Sequence, residues 1–492
     1  MFRPVLPAAI VATGVFLGCS GAEPPAASVH GDAGAEVPDA PDDPIEGPCD
    51  DDDAAIYGDP GFLPPGNGQL LRCMRAGRLS AKELEAKLAA NGVVSPKLRS
   101  GARVYKLTYR TERGSVPIVT GVSSALVFLP DAPRAGILPR VVFAHGSRGQ
   151  GPDCAPSKAD PKAEFVRADF ENATYPLVGA GLAVIAPDGA GYANFGAPGN
   201  PPSGYAAAAD VAKSTLDAAR ALGEFAPKLV GEKVVLVGHS QGGHSALSAL
   251  AYWKTHAPDL AVAATVVYAP LWVSQRWGAV LFTPDDFPFR GSAGTNVAAL
   301  LYHYTQGELL DGPGAGLDPF LPEKRAGVKA FVEGSCWAKQ YDSLEVLGTN
   351  SRDIYRPEFV EAVASVAALG GECDGPPEKK ALCEKWLARY RADRPALEAE
   401  AAAVPLMIVS GDKDATIPPS RLACVRDWLA RTGGSPSYCV DPDGDHSGVV
   451  RNKAEWVSAW IAARTMGEAE PPACSHGVEA ITAPCNGLPP NE

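Results

Sequence analysis

The sequence predicts an α/β fold, a mostly parallel sheet with helices on both faces, and three observations carry that expectation. Short, unbroken apolar runs recur at residues 141–144, 182–186, 234–237, 262–268 and 406–409. Strands covered on both faces lose the in-and-out alternation of half-buried strands and read this way. Helical patterns lie between several of the runs, as at 210–225 with Val211, Leu216, Leu222 and Phe225. Buried strands alternating with helices make a parallel sheet with two covered faces. The third observation is Val234-Val235-Leu236-Val237-Gly238-His239-Ser240-Gln241-Gly242-Gly243-His244. Four apolar residues run into Gly-x-Ser-x-Gly and a small-residue helical pattern follows, so the text reads strand, sharp turn, helix. Such a turn presents its serine at the end of a buried strand, with glycines where side chains would collide with neighbouring backbone.

From the N-terminus, residues 1–19 read as an export signal: Arg3, an apolar stretch over 5–17, then Phe16-Leu17-Gly18-Cys19. The stretch is short for a membrane span. A small residue before a cysteine at the end of a signal resembles a bacterial lipobox, and the expectation is a lipidated Cys19 on an envelope lipoprotein, the alternative being a cleaved, secreted chain. Residues 20–53 are Ala, Pro, Asp, Glu and Gly with little apolar periodicity and read as a disordered acidic tether. The core of the α/β fold is expected over 54–270 and 404–466, a mainly helical cap over 271–403, and a disulfide-stapled tail over 467–492. Within the core, Ser80-Ala81-Lys82-Glu83 has capping-box spacing and opens a short helix carrying Leu84 and Leu88. Alternation over 104–111 and 121–130, with a turn at 114–117, predicts an antiparallel pair. The cap segment shows aromatic and glycine-rich stretches and two helical patterns, at 357–369 and 379–394, instead of a strong apolar strand.

A chain of 492 residues, 46% hydrophobic and 21% charged, has room for a large core with insertions. Its net charge of −13 opposes nucleic-acid binding, and no Lys/Arg cluster offsets it. Eleven cysteines less Cys19 leave ten, the even number that five disulfides in an oxidising compartment require. Without a CxxC pair, zinc is disfavoured. Sequence proximity suggests Cys373 with Cys383, Cys424 with Cys439, and Cys474 with Cys485. The remaining four allow three connectivities, of which Cys49 with Cys73 and Cys154 with Cys336 is the expected one.

A serine hydroxyl needs a base within hydrogen-bond reach and an acid to orient that base. After the run at 406–409 comes Ser410-Gly411-Asp412-Lys413-Asp414. Asp414 is the expected acid, and Asp412 its nearest competitor. Of eight histidines, His30 lies in the tether and His476 in the tail; His239 and His244 flank the elbow, His256 ends a helix and His303 lies in the cap. His145 belongs under a turn after the run at 141–144. His446 remains, in a polar loop after a short strand, and is the expected base. Asp441, Asp443 and Asp445 in that loop invite a calcium reading, but an EF-hand starting at Asp441 needs glycine and glutamate where the chain has His446 and Asn452. No metal or cofactor is expected. The oxyanion of acyl transfer calls for two backbone N–H donors. Gln241, following the nucleophile, supplies one, and Ser147 the other, with Gly146 as runner-up.

The runs Phe143-Ala144-His145-Gly146-Ser147 through Asp153-Cys154-Ala155-Pro156-Ser157, Val184-Ile185-Ala186-Pro187-Asp188-Gly189, Gly238 to His244, and Gly411 to Asp414 with His446 resemble the secretory lipase (yeast lipase A-like) family over about 102–466. The order Ser240, Asp414, His446 is that of the α/β-hydrolase triad. The resemblance implies an α/β-hydrolase fold with a helical cap, no cofactor, and action on carboxylic esters, including acylglycerols. A small-molecule or lipid ester is then the expected substrate, with membrane attachment only through Cys19. Gly189 stands where relatives often carry a bulky aromatic. The rival expectations are a serine peptidase or acyltransferase on the same triad, and a non-catalytic envelope binding protein with this fold.

Overall fold

Nine strands pair into one sheet in the order β1-β2-β3-β5-β4-β6-β7-β8-β9 among the described residues. They are β1 (Leu70–Leu79), β2 (Ala102–Glu112), β3 (Thr120–Pro130), β4 (Leu138–Ala144), β5 (Ala183–Pro187), β6 (Val230–His239), β7 (Ala261–Tyr268), β8 (Leu406–Gly411) and β9 (Ser437–Asp441). The computed structural model describes residues 44–94, 96–159, 168–192, 194, 200–273, 293–368, 373–474, 476, 477 and 481. The expected signal with Cys19, most of the expected tether, and Cys485 lie outside the described residues.

The first three strands and β5 pair antiparallel, with β2 against β3 running from Ala102 opposite Pro130 to Glu112 opposite Thr120. From β5 through β4, β6, β7 and β8 to β9 every pairing is parallel. The parallel strands are those the unbroken apolar runs predict, and the reason is visible in the packing. Along β4, Val141 and Phe143 point to one face and Val142 to the other; along β6, Val235 and Val237 oppose Leu236. Both faces are covered, so neither set of side chains is free to be polar.

The helices, in chain order, are α1 (Asp53–Tyr57), α2 (Ala81–Ala90), α3 (Ala168–Gly179), α4 (Ala208–Phe225), α5 (Gln241–His256), α6 (Ala293–Leu310), α7 (Arg325–Gly334), α8 (Trp337–Leu347), α9 (Pro357–Ala368), α10 (Pro377–Ala392), α11 (Ala399–Ala402), α12 (Pro419–Arg431) and α13 (Gly448–Met466). On one face of the sheet α4, α5 and α12 bury Leu222, Phe225, Leu247, Leu250, Leu422 and Leu429. On the other, α2, α3 and α13 bury Leu84, Leu88, Tyr175, Val457 and Trp460. At α2 the expected capping box is formed: Glu83 N–H donates to Ser80 Oγ, and Ser80 N–H to Glu83 Oε2. The segment between β7 and β8 builds an apolar cluster of its own from α6 to α10, with Leu301, Tyr302, Phe331, Tyr355, Phe359, Trp386 and Tyr390 at its centre.

Three features depart from expectation. β1 carries no predicted strand; it is an edge element whose Arg72, Arg75 and Arg78 break the apolar signal. Residues 44–53, read as the end of the tether, are held to the core: Ile45 and Cys49 are buried, Asp51 N–H donates to Cys73 O, and Asp52 caps α1. The disulfides Cys49–Cys73, Cys154–Cys336 and Cys373–Cys383 pair as expected, but Cys439 joins Cys474, not Cys424. The expected Cys424–Cys439 and Cys474–Cys485 pairs are both overturned by that bond. On β9 the side chain of Cys439 faces the α13 side, whereas α12, which carries Cys424, packs on the opposite face. A bond between them would have to cross the sheet. The chain leaving α13 returns along β9 instead, where Val440 N–H donates to His476 O.

Candidate active site

Parallel strands end on one edge of the sheet, and the loops after β4, β6, β8 and β9 meet there. At the end of β6 Ser240 has φ 55° and ψ −119°, a left-handed conformation that a residue with a Cβ adopts only under constraint. The constraint comes from backbone packed against backbone. A Cβ on Gly242 would lie 2.0 Å from Ala144 O, and one on Gly238 1.9 Å from Gly242 O. Only glycines let α5 start this close to β4. Ser240 N–H donates to Tyr268 O at 2.9 Å, tying the turn to β7.

The histidine and aspartate loops converge on this serine. Ser240 Oγ lies 2.9 Å from His446 Nε2, and His446 Nδ1 lies 2.8 Å from Asp414 Oδ2. If Nδ1–H donates to the carboxylate, Nε2 is left to accept the serine proton. Asp414 is buried, and its other oxygen accepts the N–H groups of Thr416 and Ile417, each at 2.8 Å. Both oxygens are thus occupied, which fixes the carboxylate plane. Asp412 is exposed, its backbone N–H donating to Asp441 O, and it does not reach His446. The three aspartates of the His446 loop diverge: Asp441 accepts from Asn452, Asp443 pairs with Lys413, and Asp445 accepts Gly448 N–H.

Ser147 lies in the loop after β4 and shares with Ser240 a cavity of about 70 Å³. Its Oγ is 2.7 Å from Tyr205 Oη, and the Tyr205 ring stacks on Trp337, centroids 6.4 Å apart and planes 6° apart. Gln241 opens α5, and its side chain is buried against a second small cavity lined by His145, Asp188 and Gly189. His145 sits beneath the turn, Nδ1 2.7 Å from Gly146 O and Nε2 3.0 Å from Asp188 O. It does not approach Ser240 as a second base.

Sequence reasoning missed His239, Tyr205 and Trp337. His239 Nε2–H donates to His446 O at 2.8 Å, and the two rings lie 4.8 Å apart, so the residue before the nucleophile supports the loop that bears the base. A histidine inside the elbow was the only signal, and its partner is 207 positions away. Tyr205 and Trp337 carried none beyond being aromatic.

Residues 141–460 match the model of the alpha/beta hydrolase family, a span that runs from β4 through the elbow to α13. Among solved structures, the chain resembles the rice cell wall degrading esterase LipA of Xanthomonas oryzae at a TM-score of 0.60 and 17% identity, over 82% of this chain and 99% of that one. It also resembles lipase A of Candida antarctica in its closed state, at a TM-score of 0.57 and 17% identity, over 88% and 91% of the two chains. Likeness at such identities speaks for the fold. A comparison with curated proteins finds no match. With its family signature covering most of the chain and its sheet in the matching architecture, the protein belongs to the alpha/beta hydrolase family.

Proposed function

We propose that the protein is a serine carboxylic-ester hydrolase of the lipase and esterase kind, related to the secretory lipases. The observation that carries this reading is the unbroken relay of hydrogen bonds from Ser240 through His446 to Asp414. Ser240 Oγ attacks the acyl carbon while His446 Nε2 takes its proton. The tetrahedral intermediate collapses, the acyl C–O bond to the alcohol breaks, and the imidazolium returns the proton to the departing alkoxide. Water, deprotonated by the same nitrogen, then releases the acid and restores the serine. Asp414 keeps the imidazole in the productive tautomer and offsets its transient charge. Backbone N–H groups of Gln241 and Ser147 hold the oxyanion, the first at the positive end of α5.

Residues 271–403 serve as a cap whose Leu271, Trp272, Ala298 and Trp337 wall the cavity beside Ser240. Export is supported by the four disulfides described. Cys19 would anchor the exported chain to the envelope. The test is labelling by a fluorophosphonate probe together with hydrolysis of p-nitrophenyl esters of graded chain length. Ser240→Ala is expected to abolish labelling with an unchanged melting temperature, and Asp414→Asn to lower turnover roughly 10⁴-fold. A purified wild-type protein that neither labels nor cleaves any ester sinks the proposal; a more damaging Asp412→Asn moves the acid.

A further inference from the structure

The cavity beside Ser240 is not purely apolar: Arg421 is one of its walls. Arg421 occupies the first turn of α12, its N–H donating to Pro418 O at 2.8 Å. That position is unfavourable for a cation on two counts. The N-terminal end of a helix carries partial positive charge, and no acidic residue of the first turn relieves it here. The guanidinium is also half-buried, and burial lowers its pKa. Among the described residues no hydrogen bond or ion pair holds the group. Of the carboxylates near it in sequence, Asp414 spends both oxygens on His446, Thr416 and Ile417, and Asp427 pairs with Arg426. A half-buried guanidinium with no counter-charge among the described residues gains from acquiring one, and its five donors are arranged to receive a carboxylate in bidentate fashion.

We propose that Arg421 is a specificity determinant that receives an ionised carboxylate carried by the ester substrate. The inference rests on the ester-hydrolase reading of Ser240. The substrate class is an ester with an acid group a few carbons from the scissile bond, since nucleophile and guanidinium share a cavity of about 70 Å³. Thr416 and Thr295 add hydroxyls to the same cavity, and Trp272 and Trp337 add indoles. The acyl chain would then lie along the aromatic wall while its charge is drawn to the polar one. The chain's net charge of −13 disfavours the approach of an anionic ester. A local cation is therefore what admits it.

The acid could sit on the acyl side or the alcohol side, and paired substrates separate the two. Monomethyl adipate is compared with methyl hexanoate, and the butyrate ester of glycolic acid with propyl butyrate, all followed by pH-stat at neutral pH. The readout is the ratio of kcat/KM for the anionic over the neutral member. One pair is expected to favour the anionic member in the wild type, and Arg421→Gln to lower that ratio about 10- to 100-fold, the reach of a charge-assisted hydrogen bond in a partly desolvated site. Arg421→Lys restores part of it, and raising salt from 0.05 to about 0.5 M shrinks the wild-type preference. Thermal melts of both variants show whether they are folded; since Arg421 makes no ion pair among the described residues, the melting temperature should stay close to that of the wild type. If Arg421 instead stabilised the oxyanion, both members of each pair would fall together and the ratio would stand still. An unmoved ratio, or a wild type that favours the neutral member in both pairs, overturns the inference. Retained fluorophosphonate labelling alongside that outcome leaves the ester-hydrolase reading standing; loss of both labelling and neutral-ester cleavage in the wild type defeats the reading itself.

Discussion

Acidification should destabilise this protein through two buried histidines, with one buried aspartate working in the opposite direction. Asp393, at the end of α10, accepts from Tyr302 Oη (2.6 Å), Gln306 Nε2 (2.5 Å) and Ala208 N–H (2.7 Å), and its carbonyl accepts from His244 Nε2 (2.7 Å). Burial pushes its carboxyl up to about 7 despite those donors and the nearby Arg389. His244 is pushed down to about 4 by burial, and its Nδ1 has no partner to receive a second proton. His303, between the hydroxyls of Tyr355 and Tyr390, falls to about 3 through burial and the charge of Arg389. Between pH 6.5 and 4 the unfolded histidines hold protons that the folded ones refuse, so each removes about 1.36 kcal/mol of stability per pH unit as the pH falls. Asp393 is reversed: its raised pKa means the folded state holds the extra proton between about 3.8 and 7, and acidification through that window adds stability. Two losses against one gain leave a net loss of about 3 kcal/mol from these three groups over that interval. The assay is urea unfolding followed by tryptophan fluorescence at pH 7, 6, 5 and 4. His303→Gln, which keeps polar contact with the tyrosines, should lose about 3 kcal/mol less than the wild type across the window. Asp393→Asn should lose about 3 kcal/mol more, because its compensating proton is gone. Parallel profiles for the wild type and both variants would refute the reasoning.

Two further outcomes follow from backbone and covalent geometry. Gly242→Ala would put a methyl group 2.0 Å from Ala144 O, so α5 must move off β4; a destabilisation above about 3 kcal/mol is expected in thermal melts, with loss of probe labelling. Replacing Cys439 and Cys474 together by serine opens a loop closed across 35 positions, which should lower unfolding free energy by about 4 kcal/mol, read from the urea midpoint at constant m-value.

The parallel half of the sheet was legible because its strands are buried on both faces, as Val141, Val142 and Phe143 illustrate. The antiparallel half was less so. β2 is buried along most of its length, yet it contains Lys106, Thr108 and Arg110. Lys106 reaches Asp53 and Thr108 donates to Ile56 O, so polar side chains survive there because residues 53–57 lie over them. No local pattern announces a cover that arrives from fifty positions away. Ser240, Asp414 and His446 each follow a strand end, where short motifs are informative, and the structure brings the three together. Their supports, His239 beneath the His446 loop and Tyr205 beside Ser147, depend on contacts across the fold, and the histidine of the elbow was the one mark they left in the text. The disulfides divide in the same way. Nearness in sequence sufficed for Cys373 with Cys383 and failed for Cys424 with Cys439, because it is blind to which face of a strand a side chain takes.

The glycines after β4 let a second stretch of backbone pack against the loop. A Cβ on Gly149 would lie 2.9 Å from Cys336 Cα, and one on Gly151 2.7 Å from Glu333 O. These positions admit backbone of the α7–α8 junction, and Cys154–Cys336 bonds the loop to it. Trp337, the next residue, donates its N–H to Arg148 O at 2.9 Å and stacks on Tyr205, which in turn meets Ser147 Oγ. The segment expected to hold the oxyanion is therefore braced by the helices between β7 and β8 as well as by its own strand. Preorganised donors act because they need not rearrange as charge develops. A wall stapled at Cys336 and stacked at Trp337 keeps Ser147 still on that side of the cavity. Under the proposed function, substrates are then told apart mainly by the groups that line the cavity without such bracing, and Arg421 is the charged one among the described residues.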